Sequence, residues 1–178
     1  MMFRLALTSR EASIVPVMAV VAAVSHIAIG PIISRFFHVP GPTLAGPVIM
    51  APIMVAGAVT QRRGALLLTT AINGLILSLF VPIGWLAFPI YVIVGLVLEL
   101  LYSRSLSKLY SSPSFSFFAG GTSNAVSIIL IAVIAIGIKA MIPLAMITIV
   151  GYIAGGIGGL IATAITVRVR HMYPAKTQ

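Results

Sequence analysis

Cysteine is absent, which excludes a disulfide framework, an iron–sulfur cluster and a thiolate metal site at once. Acidic residues are almost absent: Glu11 and Glu99 are the only two carboxylates in 178 residues. Acid–base or metal-assisted catalysis needs several positioned ionisable groups, and two carboxylates far apart in sequence do not supply them. The chain also lacks a Walker A loop, a dinucleotide fingerprint, a His-Glu-x-x-His zinc helix and a Gly-x-Ser-x-Gly elbow. An enzyme is therefore not expected, nor a cofactor, nor a bound metal. Charge of any kind is scarce, at 7% of residues against 60% hydrophobic, whereas a soluble domain carries about 25% charged residues. The net charge of +9 would suggest nucleic acid in a soluble protein. Here the basic residues punctuate apolar runs and form no continuous patch, so no nucleic-acid partner is expected.

What the chain has in abundance is apolar length. A hydrocarbon core about 30 Å thick needs roughly 20 apolar residues per helix. The sequence thus predicts an all-α integral membrane protein, a single bundle of about six transmembrane helices in a lipid bilayer. Spans are expected at about 9–30, 44–60, 65–81, 83–102, 115–138 and 142–167. The first run is not read as a signal peptide, because no small-residue cleavage site follows it and the rest of the chain is equally apolar. Thr8 and Glu11 have the spacing of a capping box, which starts the first helix near Ser9, and Gly30-Pro31 is expected to stop it. The segment from Pro31 to Thr43, with Arg35, Phe36, Phe37, His38 and a Pro40-Gly41-Pro42 turn, reads as the most irregular loop. Pro47 and Pro52 predict a second helix that is kinked or closely packed by its neighbours.

Six spans put both termini on one side. Arg4, Arg10, Arg62, Arg63, Arg104, Lys108, Arg168, Arg170 and Lys176 share that side, nine in all, against two, Arg35 and Lys139, on the other. The positive-inside rule makes the nine-residue face cytoplasmic. A multi-pass protein of the cell membrane with both termini in the cytoplasm is expected.

A carrier coupled to protons or sodium usually buries an ionisable group near the midplane, and no clear one is found. The polar candidates are Asn73, Asn124 and Tyr152, each about nine or ten residues into its span and so near mid-membrane at 1.5 Å per residue. Amides and a phenol at that depth need partners, on one another or on a ligand. They are candidate substrate-binding residues, with interhelical hydrogen bonding as the alternative. Trp85 and Tyr91 lie in the outer half of the fourth span and could stack on a flat ligand, an interface belt being the competing role for Trp85. His38, in the outer loop, joins the candidates, while His26 reads as structural or solvent-facing. Glu99, late in the fourth span, is placed to pair with Arg62, Arg63 or Arg104 or to snorkel to the interface. Ala19 and Ala23, and Gly151, Gly155 and Gly159, have the spacing that lets helices approach closely, within the bundle or against a partner.

Several of these features occur together in one known family. Six spans in 178 residues, the Ala19-Val20-Val21-Ala22-Ala23 face of the first helix, a turn-rich outer loop before the second span, and the Gly-x-x-x-Glu stretch in Ile93-Val94-Gly95-Leu96-Val97-Leu98-Glu99 resemble the substrate-binding S components of energy-coupling-factor (ECF) transporters. These are uptake systems for vitamins and their precursors. The resemblance implies a small-molecule substrate, a vitamin or precursor with thiamine-related compounds among the candidates, bound from outside beneath a lid formed by Ser34 to Thr43. It implies docking of a transmembrane coupling subunit on Ala19 and Ala23, with paired ATPase subunits supplying energy. Two other classes remain open at this level: a self-sufficient small carrier or channel acting as an oligomer, and a non-transporting membrane scaffold.

Overall fold

In lipid every backbone amide must be satisfied within its own segment or a closed barrel, and this sequence takes the helical solution. A computed structural model describes residues 9–38, 41–103, 112–136 and 141–172, and every regular element among them is helical. The helices are α1 (Ser9–Phe37), α2 (Gly41–Thr60), α3 (Ala65–Phe80), α4 (Ala87–Ser103), α5 (Pro113–Leu130) and α6 (Met141–Met172). A 3-10 turn, Gly84–Leu86, leads into α4, and α5 runs on into a π-helical stretch, Ile131–Ile136. Among the described residues, five segments are long and apolar enough to cross a membrane, and α3 is a shorter apolar helix.

The first helix departs from expectation. Gly30-Pro31 does not stop α1, which continues to Phe37. A glycine costs a helix about 1 kcal/mol and a proline about 3, but backbone groups left open in an apolar medium cost several kcal/mol each. Keeping the helix is the cheaper outcome. The expected lid loop shrinks accordingly: Ser34–Phe37 belongs to α1, Gly41–Thr43 to α2, and of the described residues between them only His38 is non-helical. The residues of the Thr8–Glu11 capping box lie outside those whose side chains are described, and Arg104, Lys108 and Lys139 lie outside the described residues altogether.

Neighbouring helices close a ring in the order α1, α2, α6, α5, α4, α3 and back to α1. α2 also touches α3 and α5 and leans into the ring; 72% of its span is buried, against 33% for those of α1, α4 and α6. Its two interior prolines thus sit in the most enclosed helix of the bundle, as close packing predicts. Around α2, Ile49, Met50, Ile53 and Met54 pack with Leu66, Leu98 and Tyr102. A second apolar cluster joins Ala23 of α1, Leu77 of α3, Ala87, Ile90 and Tyr91 of α4, and Ile131 beyond α5. The α1–α2 and α3–α4 connections lie at one end of the bundle, called here the His38 end, and the α2–α3 turn marks the opposite, Gln61 end.

The glycine stripe of α6 is used inside the bundle. A β-carbon on Gly155 would collide with the Gly120 carbonyl oxygen of α5, and one on Gly159 with the carbonyl oxygen of Ser116. From the other side, a β-carbon on Gly46 of α2 would lie 2.7 Å from the Gly155 nitrogen. Three helices therefore meet at backbone contact, the close approach that small residues permit in membranes. The weak helix formers Gly120 and Gly121 are helical because this crossing needs them. Ala19 and Ala23, expected to present a docking face, are likewise fully buried within the chain's own bundle. The face α1 turns outward is the β-branched stripe Val17, Val20, Val21 and Val24.

Candidate substrate-binding layer

The buried polar side chains sort by whether the fold satisfies them. Thr60, Thr69, Thr70, Thr163 and Thr166 return their hydroxyl protons to carbonyls of the preceding turn, and Thr163 also meets Ser116 of α5 at 2.7 Å. Such hydroxyls are accommodated by the helices themselves. Thr43 Oγ1, both polar atoms of Asn73, Ser123 Oγ, Ser127 Oγ and Glu99 Oε2 are buried with no hydrogen-bond partner. Native interiors satisfy most buried polar atoms, so each exception calls for an explanation.

Asn73 is the most exposed to that argument. It is fully buried and uses none of the hydrogen-bonding capacity of its carboxamide. Contacts of neighbouring residues assign its direction. Gly74 faces α4, where an added β-carbon would lie 2.7 Å from Tyr91 Cβ, and Thr70 faces Gly95 of the same helix. Leu66 faces inward, against Gly57 of α2. Asn73 follows Leu66 by about two helical turns and shares its inward face, with Thr69 and Leu77 between and beyond.

At the same level, the Tyr91 hydroxyl hydrogen-bonds to His26 Nδ1 at 2.9 Å, with the rings edge-on at 6.2 Å. Both side chains are buried, so this bond ties α1 to α4 past α3, which stands between them in the ring. Ser127 of α5 adjoins the same tyrosine hydroxyl, with its Oγ outside hydrogen-bonding geometry. His26, Tyr91 and Ser127 thus meet, and Asn73 lies at about the same depth on α3, one residue before Gly74, which packs on Tyr91; together they make a polar layer drawn from four helices. The apolar cluster containing Leu77, Ala87 and Ile131 lies toward the His38 end, with Val81, Ile83 and Leu86 of the α3–α4 connection packed against it.

The other expected site residues fall elsewhere. Asn124 Nδ2 donates to the Gly151 carbonyl oxygen at 2.7 Å, inside the three-helix glycine crossing. Tyr152 is half-buried there and stacks edge-on against Phe117, with ring centres 5.9 Å apart. The structure brings Asn124 and Tyr152 together at the α5–α6 contact and leaves Asn73 and Tyr91 together on another side of the ring. Trp85 is 75% exposed in the 3-10 turn, and His38 is exposed at the end of α1; neither lines the interior. Glu99 reaches from α4 to the start of α3, where its Oε1 accepts a hydrogen bond from the Gly64 N–H at 2.6 Å. It supplies an acceptor and a negative charge at a helix start that has no side-chain cap of its own.

Ser127 is not among the candidates the sequence offers, and His26 reads there as structural or solvent-facing. Both carried a signal. His26 continues the stripe Val15, Ala19, Ala22 and Ala23, and Ser127 continues Ser116, Gly120 and Ser123, each at the three- and four-residue spacing of one helix face. Among the described residues no group of three His, Asp or Glu side chains is placed to hold a metal. The layer offers hydrogen bonds and aromatic surface.

No family model matches the sequence, and no curated protein sequence matches it either. A solved structure does: the crystal structure of an S-component of an ECF transporter superposes with a TM-score of 0.74 at 20% identity, covering 93% of this chain and 86% of the other. The two share a fold over nearly their whole lengths.

Proposed function

We propose that the chain is the membrane-embedded, substrate-binding subunit of an ECF-type uptake transporter. The observation that carries this reading is the fold, shared over 93% of the chain with an S-component of an ECF transporter. The buried polar layer supports the same role: Asn73 keeps both its polar atoms without a hydrogen-bond partner in an apolar ring, a cost that stability alone does not select. The absence of a nucleotide motif from the sequence fits a subunit whose energy comes from others.

In this reading the substrate is a small cyclic metabolite, a vitamin or vitamin precursor, with thiamine-related compounds among the candidates. The His38 end faces outward, the termini lie in the cytoplasm, and a coupling subunit with its ATPases completes the transporter. Because Ala19 and Ala23 are occupied in packing, the coupling subunit meets α1 along its valine stripe. The test is uptake and retention: the protein, purified gently from its native cytoplasmic membrane, releases a small molecule in near-stoichiometric amount on denaturation. Cells accumulate that molecule only when coupling and ATPase subunits are co-expressed. Accumulation by the chain alone would instead make it a self-sufficient carrier, and a reproducibly empty protein that supports no uptake would make it a scaffold.

A further inference from the structure

We propose that the Gln61 end of the bundle carries a site for one anionic phospholipid, its phosphate held by Arg63 and Arg168 and an acyl chain lying along the outer edge of α6. The site is independent of the substrate reading and would serve a carrier or a scaffold alike.

Register brings the two arginines to one level. A β-carbon on Gly46 of α2 would lie 2.9 Å from the Ala154 carbonyl carbon and 2.7 Å from the Gly155 nitrogen of α6, and one on Gly158 would lie 3.0 Å from Met50 Cβ. The two helices therefore run in the same direction and in step. Thr60, ten residues beyond Met50, is level with Arg168, ten residues beyond Gly158. α2 ends at Thr60, and the turn that follows carries Arg62 and Arg63; these two and Arg168 are all exposed. That turn is pinned on both sides of the arginines. Gln61, in the left-handed region at φ 51°, donates its N–H to the Gly57 carbonyl oxygen at 2.8 Å, and Gly64 donates to Glu99. The backbone beneath the guanidinium groups is thus ordered before a headgroup arrives, which reduces the entropy lost on binding.

The apolar half of the site follows from helical phase. Seven residues return an α-helix to nearly the same edge, with a drift of about 20°. Ile161 and Arg168 follow Ala154 in such a series, and Ile165 follows Gly158, so all three lie on the α2 side of α6. The drift turns them outward: Ala154 is buried, whereas Ile161, Ile165 and Arg168 are exposed. One leaflet of hydrocarbon is about 15 Å thick, half of the core, and spans about ten residues of helix. The run from the exposed Ile157 to Arg168 has that length. A chain beside Ile157, Ile161 and Ile165 therefore brings its phosphate to Arg168 and the neighbouring turn.

Charge selects the occupant. Among the side chains described at this end, three exposed arginines face one carboxylate, Glu99, which is half-buried and already accepts from Gly64. Guanidinium groups grip phosphate through paired N–H donors, and basic residues at the ends of membrane helices attract anionic headgroups. A free phosphate would use the arginines alone; a phospholipid also uses the isoleucine edge that leads to them.

The test is native mass spectrometry of the full chain, delipidated in detergent and offered an equimolar mixture of phosphatidylglycerol and phosphatidylcholine with identical acyl chains. The wild type should retain one phosphatidylglycerol in preference to phosphatidylcholine by about fivefold or more. Arg63→Gln combined with Arg168→Gln should bring the two lipids to near parity, and the corresponding double lysine variant should keep most of the preference. Arg35→Gln, which alters an exposed arginine at the His38 end, should leave it unchanged. Glycerol 3-phosphate, a headgroup without chains, should not displace the bound lipid. Should the double glutamine variant fail to fold, each single glutamine substitution should still lower the preference. Equal retention of both lipids by the wild type overturns the proposal, as does a loss in Arg35→Gln as large as in the double variant. An unchanged preference in the folded glutamine variants overturns it too, and leaves the arginines to a protein partner. Displacement by glycerol 3-phosphate overturns the choice of a lipid and makes the arginines a site for a free phosphate.

Discussion

Asn73 and Asn124 look alike in the sequence, both mid-span amides in apolar helices, yet the structure gives them opposite energetic signs. Asn124 ties α5 to a carbonyl of α6, so Asn124→Leu should lower stability by about 1–2 kcal/mol, the range for interhelical hydrogen bonds in membranes. Asn73 leaves a donor and an acceptor unpaired, so Asn73→Leu should raise the stability of the ligand-free protein, by about 1 kcal/mol or more. Unfolding midpoints of both variants in detergent check the pair, and a loss in each would make Asn73 an ordinary structural tie. Glu99 is a third case. A carboxylate near clustered arginines suggests an ion pair, and the structure adds that Glu99 Oε1 accepts the Gly64 N–H at the start of α3. Glu99→Gln keeps an oxygen acceptor and gives up the charge–dipole attraction, a loss of about 1 kcal/mol or less from that source. Glu99→Leu strands the amide and should cost about 1–3 kcal/mol, with hydrogen exchange rising selectively over the first turn of α3.

The helices themselves were legible because apolar length is a one-dimensional property, and their interiors follow from hydropathy alone. Their ends were less so. Gly30-Pro31 carries a stop signal calibrated on soluble proteins, where water satisfies a broken helix; lipid and packed neighbours reverse that balance, and α1 runs on to Phe37. The π-helical stretch after α5 has no sequence mark at all. Small-residue spacing was readable as close packing, but one helix's periodicity does not say whether the facing surface belongs to the same chain. Only three-dimensional neighbours show that Gly155 meets Gly120 and Gly46, and that Ala19 and Ala23 point into the ring. At this scale, Ala19→Leu and Ala23→Leu should each cost about 1–3 kcal/mol by overpacking, and Gly155→Leu should prevent folding because the collision is with backbone. Val20→Leu, on the exposed stripe, is the control. Monodispersity after mild solubilisation reads all four, and folded alanine-site variants that merely lose a partner would place the docking face back on Ala19 and Ala23.

The layer assembles at the level of the whole molecule, from one residue on each of four helices that no local pattern connects. His26 and Tyr91 are far apart in sequence and 2.9 Å apart in the bundle. Tertiary order decides such a site, so the sequence offered Tyr91 and Asn73 as separate candidates and could not pair either with His26 or Ser127. Orientation is the complementary case, a whole-molecule property that the sequence does address, through nine basic residues on one side and two on the other. The described residues place the turn carrying Arg62 and Arg63 at the end opposite His38, with both arginines exposed. If the positive-inside rule governs, the Gln61 end lies in the cytoplasm, and any ligand from outside approaches past the α3–α4 connection and the apolar cluster beneath it. Absence of cysteine makes this directly measurable, because a single introduced thiol has no competitor. His38→Cys should react with a membrane-impermeant maleimide on intact cells, and Arg63→Cys only after permeabilisation. The reverse pattern would turn the molecule over, putting the polar layer nearer the cytoplasm and making uptake from outside the wrong direction for it.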